Sequence, residues 1–439
     1  MDLTAVLGTL GGGTFTIIAF VVALSVIVAI HEYGHYIVGR WSGIHAEVFS
    51  IGFGPVLYAR TDKRGTVWQV AALPFGGYVK FLGDANAASV GQAELTEPVD
   101  PRRTMAGAPL WARTATVAAG PIFNFVLAIL IFAGFVMYNG KPVEPITFAN
   151  DYSLPASLQS DLQPGDEILS IGGIPLGDER LADLPVVPVI DYEVRRKGAV
   201  ITVDGPYLIP PRVDGLAPRS AADEAGLKID DVIVGINGAE VYAFEQIVTF
   251  VTEAAGDPLS LTVWRDGEIK EFTLAPRRSD LPLREGGFET RWLIGITGTQ
   301  FFEEAVEFVS PWAALKQGTS ELWWRITTSL SGLWHIITGS ISTCNLSGPV
   351  AIAQASGSMA SQGGTSFVLF IGMLSAAVGL LNLFPIPVLD GGHLVFYAYE
   401  AVARRKPTER ALQVLMFGGL TLVGSLMIFA LLNDLVLCP

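Results

Sequence analysis

The chain of 439 residues is half hydrophobic and only 16% charged, whereas a soluble domain carries about 25% charge. Its net charge of −14 argues against nucleic acid as a partner, and its length allows roughly three domains. Two cysteines, Cys344 and Cys438, form neither a CxxC motif nor a disulfide framework, so they read as bystanders.

A membrane span needs about 20 apolar residues, and the first such stretch lies within 1–40. There TFTIIAFVVALSVIVAI runs directly into HEYGH. The preceding MDLTAVLGTLGGG has no basic n-region and no A-x-A site follows, so the span is expected to be retained rather than cleaved. Residues 41–114 hold Arg60, Lys63, Arg64, Lys80, Arg102, Arg103 and Arg113, which places them on the cytoplasmic side by the positive-inside rule. Within that loop TVWQVAALPFGGYVKFLGD (66–84) alternates like a β-hairpin, with Gly76 and Gly77 near its turn. The second span is 115–138.

From 139 onward Gly, Pro, Asp and short β-branched runs replace the long apolar stretches. DLQPGDEILSIGGIPL (161–176) parallels GLKIDDVIVGINGAEV (226–241), an internal repeat that divides the insert into 139–206 and 207–280. Residues 281–365 are read as a linker with an amphipathic helix on the outer membrane surface, marked by Trp312, Trp323, Trp324 and Trp334. A fifth span there would put Arg404, Arg405 and Lys406 outside, against the positive-inside rule. The third span is 366–390, a cytoplasmic loop occupies 391–411, and the fourth span is 412–433. Both termini and the insert then lie outside. HEYGH and the LDGG that closes span three fall on the cytoplasmic side.

His31-Glu32-Tyr33-Gly34-His35 is an HExxH pattern. On a helix, positions i and i+4 share a face, so two imidazoles can reach one cation. Zinc accepts such ligands in tetrahedral geometry and lowers the pKa of a bound water to about 7; Glu32 stands beside the pair to take its proton. An ionisable cluster in an apolar helix is costly without a partner. A catalytic zinc normally has three protein ligands. His45, Glu47 and His335 sit in polar or interfacial sequence and read as solvated. Asp390 sits at the end of an apolar span, in NLFPIPVLDGG, where Pro385 and Pro387 break the helix. Irregular backbone at that depth is tolerated where it lines a cavity. Asn382 is expected to contact substrate, and Asn124 to make a helix–helix hydrogen bond.

The second insert unit, APRSAADEAGLKIDDVIVGINGAEV followed by FEQIVTFVTEA and LSLTVWRDG, resembles a PDZ domain. Together with HEYGH, NLFPIPVLDGGH, SIGFGP, LPFGGYVKFLGD and GPIFNF, the whole chain resembles the site-2 protease family of intramembrane metalloproteases, in its bacterial RseP (regulator of sigma-E protease) type. The resemblance implies a polytopic α-helical membrane protein with four transmembrane helices, a membrane-associated β-hairpin and two inserted extracytoplasmic PDZ (α+β) domains. It implies one zinc ion on His31, His35 and Asp390, with Glu32 as catalytic base, near the cytoplasmic face of the bacterial inner membrane. His393 follows the family's GGH and is assigned a packing role. A substrate helix must unwind before cleavage. One strand of the hairpin, through Gly76, Gly77, Tyr78 and Val79, is expected to pair with it. The expected substrates are single-span membrane proteins such as a trimmed anti-sigma factor, and remnant signal peptides. A zinc transporter or an inactive PDZ scaffold are the competing functions; spans two and four carry no Asp, Glu or His, which counts against a transport path.

Overall fold

The computed structural model describes residues 12–83, 100–176, 178, 180–181, 184–283 and 287–437. Residues 1–11, Asp84 and Cys438 therefore lie outside it. The chain divides into two compact units, one of residues 1–135 and 312–439 and one of residues 136–311.

The first unit opens with α1 (Gly12–Trp41), an uninterrupted apolar helix that carries HEYGH in its last third. Two long strands follow, β1 (Ala46–Thr61) and β2 (Val67–Phe81). Each strand bends, and together they form more than the expected simple hairpin. Residues 46–51 pair with 77–81 on one side and with 67–70 on the other, while residues 56–61 also pair with 67–71. The bend in β1 lies at Gly52 and Gly54, both at positive φ; a Cβ on Gly52 would stand 2.8 Å from the Ala71 carbonyl oxygen. The chain reverses at Asp62–Thr66, not at Gly76–Gly77: Asp62 N donates to Thr66 O at 2.9 Å. The Asp62 carboxylate collects the amides of Arg64 and Thr66. Burial pushes the Asp62 carboxyl up, but these amides with Trp68 and Tyr36 outweigh it and bring it down to about 2. Gly76 instead marks the bend between the two halves of β2, packed under the Phe53 ring.

The next helix, α2 (Leu110–Asn139), holds Pro121 in its interior. The second unit then follows as two sheets of one design. β3 (Glu167–Ile171), β4 (Ile174–Pro175), β5 (Ile190–Arg196) and β6 (Ala199–Gly205) form a sheet of order β4-β3-β5-β6. After the short α3 (Ala221–Ala225), the strands β7 (Val232–Ile236), β8 (Ala239–Glu240), β9 (Leu259–Arg265) and β10 (Glu268–Leu274) repeat that order as β8-β7-β9-β10. The second copy adds α4 (Phe244–Ala254). Each copy buries one aspartate under a bidentate arginine. Arg196 holds Asp166 at 2.6 and 2.8 Å, and Arg265 holds Asp231 at 2.5 and 2.6 Å. The Arg196 guanidinium keeps the Asp166 carboxyl below its ordinary value against the effect of burial. Where the sequence reads a linker from 281 onward, the chain forms strands instead: β11 (Arg277–Pro282) pairs antiparallel with β12 (Phe288–Leu293), and short strands at 296–297, 302–304 and 306–307 follow.

The chain returns to the first unit through α5 (Pro311–Ile337), the expected amphipathic helix. Its small-residue face packs on α2: a Cβ on Gly318 would lie 2.7 Å from Ile129 O. Trp312, Trp323 and Trp334 remain exposed. The segment expected to be a link is itself a helix, α6 (Pro349–Ser361). It crosses α1 where Gly357 meets Thr16. Cys344, expected to be a bystander, is disulfide-bonded.

The third span ends earlier than expected, as α7 (Gly364–Asn382). Residues 383–389 form an irregular turn, and 391–411 is not a loop, because α8 (Asp390–Ala403) starts at the aspartate itself. A carboxylate in the first turn of a helix is favoured by the helix dipole, and LVFYAYEAVA continues without a breaker. α9 (Glu409–Leu432) is the last long helix. Four helices of the described residues are long and apolar enough to cross a membrane: α1, α2, α7 and α9 with its extension to Leu437.

Candidate metal centre

Helical spacing on α1 turns His31 and His35 to one side, with their Nε2 atoms 3.1 Å apart. The third member arrives from the other end of the chain. Leu389 N donates to Ile386 O at 2.8 Å to close the turn after α7, and α8 begins at once. Cβ atoms on Gly391 and Gly392 would meet the Leu383, Phe384 and Ile386 carbonyl oxygens at 2.3–2.4 Å. Only glycines let the first turn of α8 lie on the broken segment, and this seating aims Asp390 at the histidines.

Asp390 Oδ2 stands 3.1 Å from His31 Nε2 and 3.5 Å from His35 Nε2, yet it is buried without a hydrogen-bond partner. Two imidazole nitrogens and one carboxylate oxygen thus face one point. A tetrahedral zinc with bonds of about 2.0–2.1 Å needs ligand atoms about 3.3–3.4 Å apart, which the observed triangle of 3.1, 3.1 and 3.5 Å matches. This is the one group among the described residues in which three or more His, Cys, Asp or Glu could hold a metal ion.

α2 backs the pair. A Cβ on Gly34 would lie 2.6 Å from Ala119 O, so the backbones of α1 and α2 touch. A Cβ on Gly120 would lie 2.4 Å from His35 Nε2 and 2.8 Å from His31 Cε1. The outer ring nitrogens are also engaged by α2: His35 Nδ1 is 2.9 Å from Thr116 O, and His31 Nδ1 is 3.2 Å from Asn124 Nδ2. Such partners fix the tautomer and direction of a ligating imidazole.

A cavity of about 300 Å³ opens on the cluster. Its lining includes Glu32, Tyr78, Asn382, Asp390 and His393. The Glu32 side chain lies against the outer strand of the sheet, with its Cγ 3.2 Å from where a Cβ on Gly77 would be, and the Val79 amide faces its carboxylate.

The family model for peptidase family M50 matches residues 19–426. The chain belongs to peptidase family M50. Among similar proteins of the M50 chain is one of Agrobacterium fabrum named "Putative zinc metalloprotease", 36% identical over 99% of both chains. A Rhizobium meliloti protein of the same designation is 36% identical over 96% of both. The regulator of sigma-E protease RseP of Salmonella typhimurium is 32% identical over 95% of this chain and 97% of its own. The site-2 protease resemblance of RseP type read from HEYGH and LDGGH stands.

In this M50 chain the structure gathers His31, Glu32, His35, Gly77, Tyr78, Val79, Asn382 and Asp390 around one cavity. Gly76 is not part of the lining and serves the bend of β2. His45 and Glu47 lie elsewhere: Glu47 pairs with Lys80 at 2.9 Å, and His45 packs beside Gly65 at the hairpin turn. His335 bonds the Ser331 carbonyl one turn back on α5. Thr116, Gly120 and Asn124 were not read as site residues. Gly120 and Asn124 are signalled only by GPIFNF, a glycine, a proline and an amide together in an apolar span, and Thr116 by nothing; the contact with the histidines exists only once α1 and α2 pack.

Proposed function

We propose that this M50 peptidase is a zinc-dependent intramembrane endopeptidase of the bacterial inner membrane, with one zinc ion per chain held by His31, His35 and Asp390. The observation that carries this reading is the triangle of two Nε2 atoms and one unpartnered carboxylate oxygen beside Glu32. Zinc bound there would supply Lewis acidity and a nucleophilic water at neutral pH. The protein's own part is proton handling and positioning. The Glu32 carboxylate takes the proton of the attacking water and returns it to the leaving amine. The strand 77–81 lies at the sheet edge beside Glu32 and offers backbone groups to an unwound substrate segment. The Asn382 amide, at the end of α7, lines the same cavity, which supports its reading as a group that bonds the substrate backbone. The apolar side chains Phe53, Val56, Leu57, Tyr58 and Leu73 of the sheet are exposed, which suits a β-element that meets lipid.

The substrates are single-span membrane proteins cut within or near their spans, such as a trimmed anti-sigma factor, along with remnant signal peptides. The duplicated insert is read as two PDZ domains on the periplasmic side with both termini. A disulfide at Cys344 suits that oxidising compartment. The zinc site is read near the cytoplasmic side. A transport path would need further clusters of ligands, and no second group of three or more close His, Cys, Asp or Glu occurs among the described residues.

The test is Glu32→Gln in membranes containing a single-span reporter, with zinc content measured in parallel. Cleavage is expected to fall by about 10²–10⁴-fold, the usual worth of a general base, with zinc retained. Undiminished cleavage overturns the assignment.

A further inference from the structure

His31 turns Nε2 toward Asp390 and His35, and its second ring nitrogen toward α2. There Nδ1 lies 3.2 Å from Nδ2 of Asn124. Asn124 is fully buried, and its backbone oxygen accepts from Ser375 Oγ of α7 at 2.9 Å, so two helices fix its place. Its Oδ1 is buried with no hydrogen-bond partner.

A neutral imidazole that gives its Nε2 lone pair to a cation carries its proton on Nδ1, and that N–H needs an acceptor. An amide nitrogen is a donor and cannot serve. The amide oxygen can, once the side chain makes a half-turn about χ2. His35 meets the same requirement directly, because Nδ1 faces a carbonyl, the Thr116 oxygen at 2.9 Å. We propose that Asn124 is a positioning residue of the metal centre. Its Oδ1 accepts from His31 Nδ1–H and holds His31 in the tautomer whose Nε2 lone pair points at the cation. This assignment rests on the metallopeptidase reading above and adds a residue that touches neither metal nor substrate.

The experiment measures zinc affinity rather than cleavage. Full-length chain in detergent is titrated against a chromogenic zinc chelator as wild type, Asn124→Leu and Asn124→Asp. Leucine keeps the volume and removes the acceptor, and is expected to weaken zinc binding about 10–100-fold, the usual range for an outer partner of a ligand. Aspartate restores an acceptor at the same atom and is expected to stay within about threefold of wild type. An Asn124 that only packs would tolerate the buried charge of aspartate no better than leucine. Wild-type affinity in Asn124→Leu, or an Asn124→Asp as weak as Asn124→Leu, overturns the proposal. A wild-type chain that binds no zinc overturns the metallopeptidase reading and this assignment with it.

Discussion

Gly120 leaves no room for a side chain, since a Cβ there would overlap both imidazoles. Gly120→Ala is expected to splay His31 and His35 and to lower zinc affinity about 10–100-fold, measured by chelator competition, while helix content is kept because alanine favours a helix over glycine. At this scale the HExxH pair was legible, because i and i+4 share a helix face whatever the tertiary fold. Asp390 was legible from cost: a carboxylate beside two prolines in an apolar run demands a partner. Asn124 was not, because helix–helix hydrogen bonding explains a polar residue in a span equally well until the neighbouring atom is known to be a histidine nitrogen.

The elements carry the geometry from one end of the chain to the other. α8 must hold its first residue on α1, and a bidentate pair anchors it: Arg113 at the start of α2 grips Glu400 at 2.8 and 2.9 Å, with its guanidinium 5.1 Å from the Tyr397 ring centroid. The half of β2 at 77–81 pairs with β1 on one side and faces Glu32 on the other. Val79→Pro removes the amide on the Glu32 side, and cleavage of a membrane reporter is expected to fall about tenfold or more, since lost positioning alone costs up to about a hundredfold. Zinc content should not change, and unaltered cleavage would refute strand pairing as the means of substrate capture. The alternation of 66–84 announced strands. The fold of each strand upon itself was hidden, because a glycine in a strand pattern signals a bulge, a bend or a turn without distinguishing them.

Across the whole molecule, ends far apart in sequence are tied by buried polar groups. Asp434, just past α9, accepts the amides of Gly348, Val350 and Ala351 at 2.9–3.0 Å and so caps α6, while Asn433 donates to Thr343 O at 2.7 Å. Asp434→Ala is expected to destabilise the chain by about 2 kcal/mol, the upper range for a lost helix cap, read as a lower midpoint of thermal unfolding in detergent with zinc affinity unchanged. The duplicated insert shows what pattern alone reveals at this scale. The paired acidic residues at 166–167 and 230–231 marked the repeat, but Arg196 and Arg265, which bury the first and last of them, lie about thirty residues downstream and join only when β5 and β9 enter their sheets. The sequence by itself determined the apolar spans, the repeat and the HExxH and LDGG motifs, because these depend on composition and on the fixed periods of helix and strand. Tertiary structure alone decided that the start of α8 meets the end of α1, that α2 supplies the outer partners of both histidines, and that a sheet edge stands beside Glu32. Contacts between segments hundreds of residues apart follow from helix packing, and no local period encodes them.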